Sequence, residues 1–192
     1  MAEKAIARTG LLLAPGAGAD RNQSALVSID SAVTAAGGDV VRMDFPYRKA
    51  GRRAPDKAPV LVRAVNEEAA ALRQRTTRLV LGGRSMGGRM CSMAAADGLE
   101  AEGLVLLSYP LHPPGRPDRS RIEHFPALKV PCLFLSGTRD AFGTVSELED
   151  AASAIPGPVT FEWIEGKDHA MRGTDSAVAD IVVAWLRRQR LL

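Results

Sequence analysis

Short apolar runs alternate with longer amphipathic segments along nearly the whole of this 192-residue chain. Six of the runs have the length and the apolar pattern of β-strands. Strands that alternate with helices usually pair in parallel, so this order predicts a mostly parallel sheet with helices on both faces. The strands are predicted at residues 11–14, 39–43, 78–81, 104–107, 132–135 and 159–164.

The amphipathic segments predict five helices and leave two long connections. Helical spacing of apolar residues places the helices at residues 22–36, 60–75, 85–96, 144–154 and 175–188. Residues 45–59 are rich in Pro, Gly and Arg and are predicted to form a long loop. Residues 108–129 contain five prolines, which disfavour anything longer than a helical turn near residues 119–124. A large lid over the sheet is therefore not expected.

Size and composition fit one α/β domain spanning residues 1–192. The hydrophobic fraction of 46% is sufficient for a core that needs no disulfides. The two cysteines, Cys91 and Cys132, lie in apolar segments, which indicates buried, reduced thiols. Arg8 and Thr9 interrupt the N-terminal apolar stretch that a secretory leader would need. These features favour a cytoplasmic location.

The charge pattern argues against nucleic acid and membrane as partners. The net charge is only +3, and basic residues concentrate at residues 48–57 and 187–190. Such runs suit a solvated loop and the C-terminal end of a helix. A nucleic-acid surface would add interleaved aromatic residues or a binding motif, and the sequence has neither. No apolar run is long enough to cross a bilayer.

Residues 83–87, with the sequence GRSMG, match the pattern G-x-S-x-G. They follow a predicted buried strand and open a predicted helix, which is the context that a nucleophile elbow requires. The flanking glycines leave room beside a turn where bulkier residues would clash. The alternative interpretation is a glycine-rich turn with an uninvolved serine, but the strand–turn–helix context favours Ser85 as a nucleophile.

Asp140 and His169 follow Ser85 in the order that such a site requires, with the acid before the histidine. Asp140 comes just after the strand predicted at 132–135, and His169 lies in the loop after the strand at 159–164. A base must remove the serine proton, and a carboxylate holds the imidazole in the correct tautomer. Asp150 lies within a predicted helix and Asp168 does not directly follow a strand, so both are weaker candidates. A helix-capping aspartate and a surface histidine are the alternative interpretations.

Backbone amides are predicted to stabilise the oxyanion of a tetrahedral intermediate. One donor should be the N–H of Met86, at the start of a helix directly after the nucleophile. The second is expected from the loop after the first strand, with Ala17 preferred over Gly18. Gly16 and Gly18 are also expected to line the substrate site.

Three further side chains are predicted to contact substrate because they follow strand ends, where ligands bind in parallel sheets. They are Tyr47, Tyr109 and His112. The alternative for His112 is a histidine packed within its loop. With no large lid, the site is expected to be shallow, open and suited to short acyl groups.

Other classes of site fit the sequence less well. A dinucleotide fingerprint beginning at Gly16 would need a third glycine where Arg21 stands, and no phosphate-binding P-loop pattern exists. Three scattered histidines and two cysteines show no metal-ligand spacing, so neither a metal nor another cofactor is predicted. A catalytically idle hydrolase-like fold that serves as a protein-interaction module is the alternative from a different class.

Several motifs together resemble the compact α/β-hydrolase family that includes testis-expressed protein 30 and the hydrolase-like domain of KAT8 regulatory NSL complex subunit 3. The matching stretches lie at residues 15–19, 45–55, 82–89, 109–115, 137–143 and 166–169. A more distant similarity is to dienelactone hydrolases, which have cysteine at the position of Ser85. The resemblance implies a minimal α/β-hydrolase fold that lacks the first two strands of larger relatives. It also implies hydrolysis of a carboxylic ester or related small acyl substrate.

Overall fold

A computed structural model describes residues 8–192 of the chain. Within these residues, six parallel strands form one sheet with the order β2-β1-β3-β4-β5-β6. The strands are β1 (Thr9–Ala14), β2 (Asp39–Arg42), β3 (Arg78–Arg84), β4 (Gly103–Leu107), β5 (Cys132–Gly137) and β6 (Val159–Ile164). The helices are α1 (Ser24–Ala35), α2 (Pro46–Lys49), α3 (Ala58–Arg73), α4 (Met86–Ala96), α5 (Val145–Ala152) and α6 (Asp175–Arg188). The predicted architecture, a parallel sheet of about six strands with helices on both faces, is confirmed.

Alternate side chains of each central strand enter two separate hydrophobic cores. On one face, Leu11 and Leu13 pack in a cluster with apolar residues of α1 and α6. On the other face, Leu12 and Ala14 belong to a cluster that includes residues of α3, α4 and α5. Because both faces are covered, the central strands are apolar at nearly every position.

The two long connections differ from the sequence prediction in detail. Residues 45–59 contain the short helix α2, which begins with Pro46 at its first turn and buries Tyr47. Proline fits this position because its fixed φ angle is already helical. In the second connection, the helical turn comes later than predicted, as a 3-10 helix at Phe125–Ala127 that buries Phe125. No large lid is formed between β4 and β5, in agreement with the prediction.

Strand β3 continues three residues beyond its predicted end at residue 81. Gly82 and Gly83 are poor strand formers by themselves, but they pair with Val105 and Leu106 of β4. This extension carries the chain to the edge of the sheet, where α4 begins. The predictions about a leader segment and about a domain beginning at residue 1 concern residues 1–7, which lie outside the described residues.

Among the helices of residues 8–192, none combines the length and the apolar composition that a bilayer crossing requires.

Candidate active site

The turn between β3 and α4 holds Ser85 in an unusual backbone conformation, with φ 51° and ψ −118°. Its N–H donates to the carbonyl oxygen of Leu107 at 2.8 Å, which ties the turn to the end of β4. A Cβ atom placed on Gly83 would lie 2.5 Å from the carbonyl oxygen of Ala14, and one on Gly87 would overlap the same atom. The close approach of these backbones therefore requires glycine at both positions.

The side chains of Ser85, His169 and Asp140 form a continuous hydrogen-bonded series. The hydroxyl oxygen of Ser85 lies 2.9 Å from Nε2 of His169. Nδ1 of the same ring lies 2.9 and 2.8 Å from the two carboxylate oxygens of Asp140. The Asp140 side chain is 1% exposed and that of His169 is 21% exposed, so the carboxylate is shielded while the imidazole reaches solvent.

Contacts on several sides fix the position of the imidazole. The ring of Phe142 stacks on His169 with a centroid distance of 4.0 Å. The N–H of Phe142 also donates to Oδ1 of Asp140 at 2.9 Å, so one residue orients both partners. The guanidinium of Arg84 donates to the carbonyl oxygen of His169. Burial lowers the pKa of Arg84, while the nearby carboxylates, Asp140 first among them, act in the opposite direction.

Two backbone N–H groups beside Ser85 remain available to an oxyanion. In the loop after β1, the N–H of Gly16 donates to Oε1 of Gln23 and that of Gly18 donates to the hydroxyl of Tyr47, each at 3.1 Å. The N–H of Ala17, between them, and the N–H of Met86 have no acceptor within residues 8–192. Both residues line the cleft next to Ser85.

That cleft has a volume of about 520 Å³. Its walls are formed by the loop after β1, the start of α4, the segment after β4 and the loops that carry His169 and Asp140. Besides Ser85 and His169, the lining residues are Gly16, Ala17, Arg84, Met86, Arg89, Pro110, Arg121 and Phe142. In the part of the chain that is described, no group of three or more His, Cys, Asp or Glu side chains is arranged to hold a metal ion.

The family model for the alpha/beta hydrolase domain matches residues 7–180. The chain belongs to this family. Solved α/β-hydrolase structures share its fold at low sequence identity. Est1E from Butyrivibrio proteoclasticus is 13% identical, with a TM-score of 0.80 over 97% of this chain and 90% of its own.

Two further structures show the same α/β-hydrolase fold. A structure from work on LipS and LipT, two metagenome-derived lipolytic enzymes, is 14% identical, with a TM-score of 0.78 over 95% of this chain and 94% of its own. An alpha-beta serine hydrolase homologue from Coxiella burnetii is 20% identical, with a TM-score of 0.75 over 95% of this chain and 88% of its own.

In this α/β-hydrolase domain, three predicted substrate contacts lie away from the cleft. Tyr47 is fully buried, and its hydroxyl accepts from the loop after β1. Tyr109 is buried too, and its hydroxyl donates to the carbonyl oxygen of Arg121 at 3.0 Å. His112 is held within its loop, with Nδ1 2.8 Å from the Pro113 carbonyl oxygen. A strand-end position brought each residue near the site, but each ring turns into the protein. None of the three lines the cleft, and neither does Gly18, whose N–H donates to the Tyr47 hydroxyl. Substrate contact by these four residues stays a prediction.

The sequence interpretation assigned no role to Phe142, to Gln23 or to two of the three cleft arginines, Arg89 and Arg121. One signal was available for Arg89, because it follows Ser85 by four residues and so lies on the same helix face. The others come from separate loops, and only the folded chain brings them to the site.

A second Ser–His contact lies behind the cleft and has a different character. The hydroxyl of Ser92 lies 2.8 Å from Nε2 of His124 and also donates to the carbonyl oxygen of Arg89. Burial lowers the pKa of His124 from 6.5 to about 4, with the charge of Arg89 as the second cause. The imidazole is therefore neutral in the folded protein at physiological pH.

Protonation of His124 should lower the free energy of unfolding in mild acid. Between its unfolded pKa of 6.5 and its folded pKa of about 4, the unfolded chain binds more protons, so the folded state is disfavoured as pH drops. We expect the free energy of unfolding of the parent to fall between pH 7 and 4.5 by about 2 kcal/mol more than that of His124→Gln, allowing for the partial exposure of the ring. Urea denaturation of both proteins at both pH values measures this difference. Equal losses would contradict a neutral, buried His124.

Proposed function

We propose that the protein is a serine hydrolase that cleaves a carboxylic ester or a related small acyl substrate through an acyl-enzyme. The observation that carries this proposal is the hydrogen-bonded series from the Ser85 hydroxyl through His169 to Asp140 at a strained strand-to-helix turn. Nucleophile, base and orienting acid are within contact distance, and the nucleophile faces an open cleft.

In the first half of the reaction, the Ser85 oxygen attacks the substrate carbonyl while Nε2 of His169 takes the hydroxyl proton. Asp140 accepts from the other ring nitrogen and stabilises the imidazolium that forms. The resulting oxyanion would be bound by the N–H groups of Met86 and Ala17, which lack other acceptors among the described residues. The C–O bond to the alcohol then breaks, and His169 returns the proton to the leaving oxygen.

In the second half, a water molecule takes the place of the alcohol. His169 removes a proton from the water as it attacks the acyl carbonyl, the oxyanion forms again, and the bond to Ser85 breaks with return of the proton to its oxygen. The products are a carboxylic acid and a restored enzyme. Every step uses side chains and backbone groups of this chain, so we propose a reaction without a metal or an organic cofactor.

The proposal includes a narrower placement within the family. The motifs at residues 15–19, after β1, and at residues 82–89, around the turn after β3, support placement near the compact α/β hydrolases that include testis-expressed protein 30.

The cysteines bear on the location that we propose. Cys91 and Cys132 are free and buried, and burial raises the pKa of each thiol to about 12. Unreactive, unpaired thiols support function in a reducing compartment such as the cytoplasm.

The nucleophile is tested by Ser85→Ala. We expect the purified parent to hydrolyse 4-nitrophenyl acetate and to react with a fluorophosphonate probe at Ser85, identified by mass spectrometry of the labelled peptide. The variant should lose both properties while it keeps the thermal unfolding temperature of the parent. Ser92→Ala is the matched control, because Ser92 also contacts a histidine but lies behind the cleft.

Labelling at another residue, or variant turnover within tenfold of the parent, would contradict the assignment of Ser85. A folded parent with neither turnover nor labelling would favour the alternative of an idle fold that serves as an interaction module.

The acid is tested by Asp140→Asn, with Asp168→Asn as the control. An amide at position 140 can hold the wrong imidazole tautomer, and the corresponding change in a well-studied triad lowers kcat about 10⁴-fold. Asp168 is exposed and caps its own turn by accepting the N–H of Ala170 at 3.0 Å. Its amide variant should therefore keep kcat within about threefold. A larger loss in Asp168→Asn than in Asp140→Asn would reverse the assignment.

The second oxyanion donor is tested by Ala17→Pro, because proline removes the backbone N–H. Loss of one such donor lowers kcat about 10²–10³-fold. Ala17→Gly keeps the N–H and should retain kcat within about threefold. We expect the proline variant to change KM much less than kcat, since the donor acts on the oxyanion and not on the bound ester. Equal activity of the two variants would exclude the Ala17 N–H as a donor.

A further inference from the structure

The cleft beside Ser85 is positively charged. Three arginines line it, and none of its described lining residues is acidic. Some arginines elsewhere in residues 8–192 form ion pairs with carboxylates, as in Arg21–Asp44 at 2.6 Å and Arg75–Asp39 at 2.8 Å, while others, such as Arg119, are exposed to solvent. Arg84, Arg89 and Arg121 are each partly buried, so their charges are less well solvated than those of exposed arginines.

Arg84 has a role within the protein. Its guanidinium donates to the carbonyl oxygen of His169, and the carboxylates of Asp140, Asp168 and Asp175 are near enough to act on its charge. It therefore holds the loop of the histidine, and these carboxylates offset part of the cost of burying its charge.

Arg89 has no such partner. It lies one helical turn after the nucleophile, and its N–H donates to the Ser85 carbonyl oxygen at 3.1 Å. Long side chains on a helix lean towards its N-terminus, which here means towards Ser85. Its Nε atom is buried and makes no hydrogen bond within residues 8–192. A buried donor without an acceptor costs stability, so this group would gain from an acceptor that enters the cleft from outside the protein.

Arg121 faces the same cleft from the segment between β4 and β5. Its carbonyl oxygen accepts from the buried hydroxyl of Tyr109 at 3.0 Å, and the Tyr109 ring packs on Phe125 and Phe134. The backbone of Arg121 is thus fixed against the core, and its half-buried side chain is held at the cleft.

The two arginines repel each other, and no carboxylate relieves the repulsion. The pKa of Arg121 is lowered by burial and then by the charge of Arg89. Across residues 8–192, neither guanidinium has a carboxylate within 4.0 Å. Glu123, the acidic residue nearest in sequence to Arg121, is exposed, and the neighbouring His124 is neutral.

We infer that Arg89 and Arg121 form a subsite for an anionic group, so that the preferred substrate is an ester that carries a carboxylate on its acyl or its leaving part. This inference rests on the proposed serine hydrolase function. A guanidinium presents paired N–H donors that match a carboxylate, and two of them would gain from binding one anion. The subsite would give this open cleft selectivity for substrates that carry a negative charge.

The test compares kcat/KM within two matched pairs of esters. Mono-4-nitrophenyl adipate and 4-nitrophenyl hexanoate have the same acyl length and differ in a terminal carboxylate. 4-Carboxyphenyl acetate and its methyl ester place the same difference on the leaving group. We expect the parent to prefer the anionic member of at least one pair at least tenfold at low salt, and the preference to shrink as NaCl is raised. The pair that shows it identifies the side of the ester that meets the arginines.

Arg89→Gln and Arg121→Gln should each lower this anionic-to-neutral ratio at least tenfold. Arg119→Gln is the matched control, since Arg119 is exposed in the same segment as Arg121 and its loss changes the net charge equally. It should keep the ratio within about twofold. A parent ratio near one in both pairs, or equal effects of the three variants, would overturn the subsite while leaving a hydrolase that reacts with the fluorophosphonate probe.

Binding supplies a measurement that does not depend on turnover. Calorimetry with monomethyl adipate should detect binding to Ser85→Ala, and the added Arg89→Gln change should weaken it at least tenfold. Binding that is present without probe labelling of the parent would overturn the hydrolase and its ester substrate but retain an anion site. Absence of binding to Ser85→Ala, together with an unselective parent, would overturn the anion site itself.

Discussion

The strained turn at Ser85 is the constraint on which the arrangement of the site depends. A non-glycine residue with a φ of 51° is held against its preferences at a cost of about 1–3 kcal/mol. The bond from its N–H to the Leu107 carbonyl oxygen and the close packing of Gly87 against Ala14 hold the turn in place. The turn places the hydroxyl at the start of α4, where it contacts Nε2 of His169 and lines the cleft beside the N–H of Met86, which is unpaired within residues 8–192.

Parallel pairing then gathers the remaining groups around this turn. The ends of β1 and β3 are in register, with Ala14 opposite Gly83, and those of β5 and β6 are in register, with Gly137 opposite Ile164. The loops that follow these strands therefore open at one edge of the sheet. They carry Ala17, Asp140 and His169 to Ser85 although the four residues are distributed over most of the chain. This is the general reason why sites in such sheets lie at the carboxyl ends of strands.

Some buried ionisable groups in and around the cleft have partners within the protein, and others do not. The carboxylate of Asp140 is buried but accepts from His169 and from the N–H of Phe142, so its burial is compensated. His124 avoids an uncompensated charge by staying neutral. Arg89 and Arg121 have no carboxylate partner within residues 8–192, and unlike His124 they do not become neutral. Both arginines are partly buried at the candidate active site, and this is the basis of the proposed anion subsite.

Much of this was readable from the sequence because it depends on local patterns. Strand β6 and helix α6 have the predicted bounds, since alternation of period two and an apolar stripe of period 3.6 are properties of neighbouring residues. Ser85, Asp140 and His169 were predicted from their positions after strands, and their side chains hydrogen-bond to one another in the folded chain.

Other features were decided only by the tertiary structure. The extension of β3 through Gly82 depends on pairing with β4, and the burial of Tyr47 and Tyr109 depends on what packs around their rings. Arg89, on a face of α4, and Arg121, in the loop between β4 and β5, line the same cleft only because the chain folds. A sequence specifies which residues leave a strand end, because that is local; it does not specify which way a side chain turns there, because that is set by the packing of segments far apart in the chain.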